Sequence, residues 1–83
     1  MKGKRKRQKY AVSVEYEGHR WPDYDYYAEK IAGRYSSGSG MGFGCRDLTF
    51  VFGTKKKFEE VMKKFKRSKR FYNVQDVSAD YND

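Results

Sequence analysis

Eighty-three residues with a formal charge of +8, 36% charged side chains and 18% aromatics describe one small, strongly basic domain. The aromatic content excludes a disordered chain, and the single cysteine, Cys45, excludes an intrachain disulfide. No apolar run approaches the roughly 20 residues that cross a bilayer, and the opening MKGKRKRQK has charge without the apolar stretch of a signal peptide. A reducing, cytoplasmic setting without membrane contact is therefore expected.

The charge lies in two blocks. Lys2, Lys4, Arg5, Lys6, Arg7 and Lys9 make residues 1–9 an arm of +6 with no acid, expected to be disordered. Residues 10–83 are expected to form a single α+β domain. Within it, Lys55, Lys56, Lys57, Lys63, Lys64, Lys66, Arg67, Lys69 and Arg70 outweigh Glu59 and Glu60 to give +7 over residues 54–70. The rest of the chain is mildly acidic, at −5. Such asymmetry steers a charged partner to one side.

Taken in order, Tyr10, Val12, Val14 and Tyr16 alternate with Ala11, Ser13 and Glu15, the pattern of a half-buried strand. Gly18 to Pro22 breaks it. Tyr24, Tyr27, Ala28, Ile31 and Tyr35 then recur at helical spacing, with Pro22 suited to the first position and Asp23 and Asp25 favouring the helix start. Gly33 weakens the helix end and Ser36–Gly40 stops it. In the run SGSGMGFG, glycines at 38, 40, 42 and 44 alternate with Ser39, Met41, Phe43 and Cys45. Read as a strand, it has one bare face and an apolar one, with Met41 and Phe43 expected to pack beneath the helices. A turn around Cys45–Asp47 leads to a strand with Leu48, Phe50 and Phe52 on one side. Thr54 is a plausible N-cap for a helix with Phe58, Val61, Met62 and Phe65 on one stripe. Phe71 to Tyr81 predicts a last strand with a bulge or frayed end, burying Val74, Val77, Ala79 and Tyr81.

The order β-α-β-β-α-β predicts a ferredoxin-like sandwich, a four-stranded antiparallel sheet of order 4-1-3-2 with both helices on one face. That plan puts the arm, the end of the third strand and Lys55–Lys57 at one end. Lys69, Arg70, His19–Trp21 and the hairpin fall at the other.

Both basic blocks point to a polyanion, contacted by charge neutralisation and counterion release. Like charges crowd the second helix, where a merely solvated helix mixes signs to gain i,i+4 pairs. RNA-recognition domains share this element order and stack bases on aromatics of the first and third strands. The segment Arg46–Phe52 resembles their third-strand signature but lacks its glycines, and Leu48 stands where an aromatic belongs. The open sheet face would show Ala11, Ser13, Glu15, Thr49 and Val51, no platform for bases, so contact is expected through charge. The glycine run matches neither spacing of the nucleotide-binding loops. One histidine, His19, one distant cysteine and no ligand cluster predict neither an enzyme, a metal site nor a cofactor.

The leading expectation is thus a nucleic-acid-binding protein, for DNA or RNA, contacting phosphates through Lys2–Lys9 and the 55–70 block with low sequence specificity. The alternative is a small non-enzymatic interaction protein, of the accessory type that phages and mobile elements carry. It would bind and modulate a host protein through the Gly38–Gly44 edge, helped by Tyr72 and Trp21.

Overall fold

In a computed structural model, which describes residues 9–82, the first alternating segment becomes β1 (Tyr10–Glu17). A 3-10 turn (Gly18–Arg20) leads to α1 (Asp23–Ala32), followed by β2 (Gly38–Gly42), β3 (Cys45–Phe52), α2 (Lys55–Arg67), β4 (Tyr72–Asp76) and a closing 3-10 turn (Ser78–Tyr81). All strand pairs are antiparallel, and the sheet runs β2-β3-β1-β4. The chain is therefore an α+β protein built on a four-stranded antiparallel sheet with two helices. Among the described residues no helix is long and apolar enough to cross a membrane. Lys2, Lys4, Arg5, Lys6 and Arg7 of the basic arm lie outside the described residues.

Register explains the core. Val12 stands opposite Phe50 and Val14 opposite Leu48, so the apolar rows of the two central strands share one face. Phe58, Val61 and Phe65 of α2 and Ala28 and Ala32 of α1 cover that face, with Tyr16 and Phe71 completing the cluster. Burying rings such as Phe50 and Phe65, whose centroids lie 5.7 Å apart, stabilises the fold by roughly 2–3 kcal/mol each.

Four details differ from the sequence expectation. First, α1 buries the small residues Ala28 and Ala32 and leaves Tyr27 and Tyr35 exposed. The helix stops at Gly33, whose left-handed backbone (φ +73°) lets its N–H close on the Glu29 carbonyl; Tyr35 lies past the end of the helical period. Second, the hairpin turns at Phe43–Gly44 and not at Cys45–Asp47: Gly42 pairs with Cys45, and both loop residues take positive φ (53° and 78°). Third, that turn throws Phe43 wholly into solvent, and Met41 is half exposed; neither packs beneath the helices. Fourth, β4 ends at Asp76, whose carboxylate accepts from the Ser78 N–H at 2.9 Å and bends the chain into the closing turn. Phe71 is buried there, while Ala79 and Tyr81 are exposed. The bulge in this strand is present, at a register break opposite Ser13–Glu15 with Asn73 at φ +50°.

Candidate nucleic-acid interface

With Phe58, Val61 and Phe65 directed to the core, a turn of 100° per residue puts Lys56, Lys63 and Arg67 on the far side of α2. Thr54 accepts the Lys57 N–H at 3.3 Å and so fixes where the helix begins. Lys64, Lys66 and Arg67 in the last turn complement the helix dipole. Lys55, Lys56 and Lys57 in the first turn oppose it, with no acid beside them in that turn. This placement works against stability and in favour of an anion. Among the described residues, Lys55 alone of the 55–70 block has a carboxylate within 4 Å, that of Glu59 at 3.9 Å. The thirteen-residue helix is about 20 Å long, the axial rise of about six base pairs.

The sheet brings part of the arm to this helix. Tyr10 pairs with Phe52, and its ring lies 5.7 Å from that of Phe58 in the first turn of α2. Lys9 is held by two bonds to Asn82: its N–H donates to Oδ1 at 2.9 Å and its carbonyl accepts from Nδ2 at 2.8 Å. The root of the arm and Lys55–Lys57 therefore share one end of the molecule. Lys69 and Arg70 lie at the other end, where they meet Arg20.

Beside α2, α1 presents a surface that sequence reasoning missed. Tyr26 (64% exposed), Tyr27 and Tyr35 (82% exposed) line an open groove of about 480 Å³ together with Lys30, Arg34 and one acid, Glu29. Arg34 is anchored there, donating to the Val51 carbonyl and lying 4.9 Å from the centre of the Phe52 ring. Lys57 Nζ comes within 3.6 Å of where a side chain on Gly33 would start, so the groove adjoins the start of α2. Exposed rings bordered by cations suit unpaired bases and the phosphates between them. The signal in the sequence was Gly33, which ends the helix before the tyrosine period does.

The open face of the sheet is different in kind. Register places Glu15 opposite Asp47, Ser13 opposite Thr49 and Glu17 opposite Cys45. Asp47 also lies over Gly40, where a Cβ would meet its Oδ1 at 2.6 Å. Like charges directly across a sheet disfavour each other and repel a polyanion. Tyr72, opposite Glu15, donates to Cys45 Sγ at 3.1 Å. That bond first, then desolvation and the charges of Glu15 and Glu17, push its hydroxyl up to about 12.

Asp25, expected to serve the helix dipole, has a second task. It accepts from Arg46 Nε and Nη2, both at 2.8 Å, and from the Tyr16 hydroxyl, tying α1 to two strands. Burial alone would raise the Asp25 carboxyl, but the bonds from Arg46 and Tyr16 outweigh it and hold it below the ordinary carboxylate range. The Tyr16 hydroxyl is pushed well up, by burial first and then by Asp25. Arg46 is thereby neutralised and is structural. His19 is exposed, 3.7 Å from Glu17.

Two cationic clusters joined by α2, a tyrosine groove beside them and an acidic reverse face make up the site. Comparison with known protein families, curated proteins and solved structures finds no match to this chain.

Proposed function

We propose that this chain is a small nucleic-acid-binding protein, ferredoxin-like in plan, that holds the phosphate backbone against its helical layer with little sequence discrimination. No catalytic step belongs to this reading, and the lone Cys45 accords with work in the cytoplasm. The observation that carries it is the sorting of charge. Among the described residues the cations of α2 stand outward and largely without carboxylate partners, while Glu15 and Asp47 occupy the opposite face. A backbone held by charge releases counterions, so affinity falls steeply with salt. The test is binding of labelled single- and double-stranded DNA and RNA across a salt series. The full chain is compared with one lacking residues 2–8 and with the triple variant K56Q/K63Q/R67Q. A linear log–log decline is expected, its slope reduced by about 2–3 in the triple variant. Binding seen only at low salt and indifferent to both changes would overturn the proposal.

A second reading is favoured by Phe43 alone. A wholly exposed phenylalanine at φ +53° on the tip of a glycine-rich edge hairpin is paid for by neither burial nor backbone preference. It fits an anchor for a protein that adds a strand to β2. Gly42 has open space where a Cβ would stand, so Gly42→Val leaves the fold intact. Loss of a protein partner in that variant, with nucleic-acid affinity unchanged, would favour this reading.

A further inference from the structure

Arg20, Lys69 and Arg70 line one cavity of about 270 Å³, together with Tyr24, Tyr72 and Glu17. They converge from two distant parts of the sequence. Arg20 comes from the turn after β1, and Lys69 and Arg70 from the short loop between α2 and β4. That loop is held from both sides: the Arg70 N–H donates to Ser68 Oγ at 3.2 Å, and Phe71 is buried with its ring 5.2 Å from Phe65 and 6.0 Å from Tyr16.

The two guanidinium groups rest on rings and not on carboxylates. Arg70 lies 4.2 Å from the centre of Tyr27 and 5.8 Å from Tyr24; Arg20 lies 5.6 Å from Tyr24. Among the described residues, none of Arg20, Lys69 and Arg70 has a carboxylate within 4 Å. A ring contact engages the flat face of a guanidinium and leaves its in-plane N–H fork open to an oxyanion. Three cations around one cavity also repel one another, and an anion entering between them relieves that repulsion. The one carboxylate lining the cavity, Glu17, opposes such a ligand.

We propose that this cavity is a phosphate site that takes one phosphate group of a nucleic-acid chain, either its terminal monoester or an internal diester. The chain as ligand rests on the function proposed above; the cavity's affinity for phosphate does not. Tyr27, whose ring carries Arg70, also lines the tyrosine groove, so a strand anchored here would continue along α1.

The experiment is an amide NMR titration of the full chain with inorganic phosphate at constant ionic strength, paired with oligonucleotide binding. Saturable shifts confined to residues 17–24 and 68–72 are expected. Arg70→Lys keeps the charge but loses the fork and weakens phosphate about tenfold. Glu17→Gln tightens it. Shifts that stay linear and spread along α2, or an R70K protein that melts and binds phosphate like the parent, would overturn the site. One oligonucleotide carrying a 5′-phosphate or a 5′-hydroxyl then names the source. A preference for the phosphorylated form that R70K abolishes assigns the chain end. Equal affinities that R70K lowers together assign an internal phosphate, and no loss on either refutes the role in nucleic-acid binding. Phosphate saturation without oligonucleotide binding would sink the function proposed above and keep the site; oligonucleotide binding without phosphate saturation would do the reverse.

Discussion

The same central strands send alternate residues to two faces, and those faces have opposite electrical characters. On one, Val12, Val14, Leu48 and Phe50 are sealed by α1 and α2, whose outer surfaces carry Tyr26, Tyr27, Lys56, Lys63 and Arg67. On the other, Ser13, Glu15 and Thr49 are half-buried and Asp47 is exposed. Period-two alternation thus sorts charge as well as hydrophobicity. The net charge of +8 averages over a molecule whose cations and carboxylates are sorted unequally between its two faces.

The largest expected effect breaks this comparison from the basic side. K56Q/K63Q/R67Q should lower nucleic-acid affinity about 100-fold near physiological salt. The double variant E15Q/D47N, on the open face, should lower it not at all. Equal losses from the two sets would mean that the faces are not distinct.

Next comes the network that joins the layers. Asp25→Asn removes the charge that Arg46 and Tyr16 address and should cost about 2 kcal/mol at neutral pH, read by chemical denaturation. The sign in pH follows from the depressed carboxyl. Its stabilisation is full above the ordinary carboxylate pKa of about 4 and is lost as pH falls through the lower, folded value. The variant should therefore show a shallower acid limb. Tyr16, raised in the fold, should make the parent lose stability as pH climbs above about 10.

Third, Phe43→Asn supplies the Asn-Gly pair that a two-residue turn with two positive φ values prefers. It should stabilise the hairpin by about 1 kcal/mol. A gain in melting temperature with undiminished nucleic-acid binding would leave the exposed ring to a role on the β2 edge. The smallest effect is on the open face itself, where Glu15→Gln should gain a few tenths of a kcal/mol by relieving the repulsion from Asp47.

What the sequence disclosed is what periodicity encodes. β1, β3 and α2 were legible because Val12/Val14, Leu48/Phe50/Phe52 and Phe58/Val61/Phe65 repeat at strand or helix spacing and are buried as that spacing requires. The cationic block on α2 was legible because it is contiguous. The Tyr16–Asp25–Arg46 network was not, since its members lie on three elements and no pattern links them. The cavity of Arg20, Lys69 and Arg70 exists only once β1 and β4 are neighbours. The tyrosine groove depends on a helix ending one turn before its apolar period does. Phe43 defied expectation because its alternation with glycines reads as one face of a strand, whereas the chain reverses at that position and holds the ring at positive φ.

The pair of hydrogen bonds between Lys9 and Asn82 has a practical consequence. Any sequence attached before the one or after the other emerges from the same spot, beside the first turn of α2. A purification tag on either side is therefore tethered through a point near the lysines whose affinity is to be measured, and an acidic tag would compete for them. The same proximity lets a short linker join the two positions, so that the chain can be reopened elsewhere and the arm's contribution separated from its point of attachment.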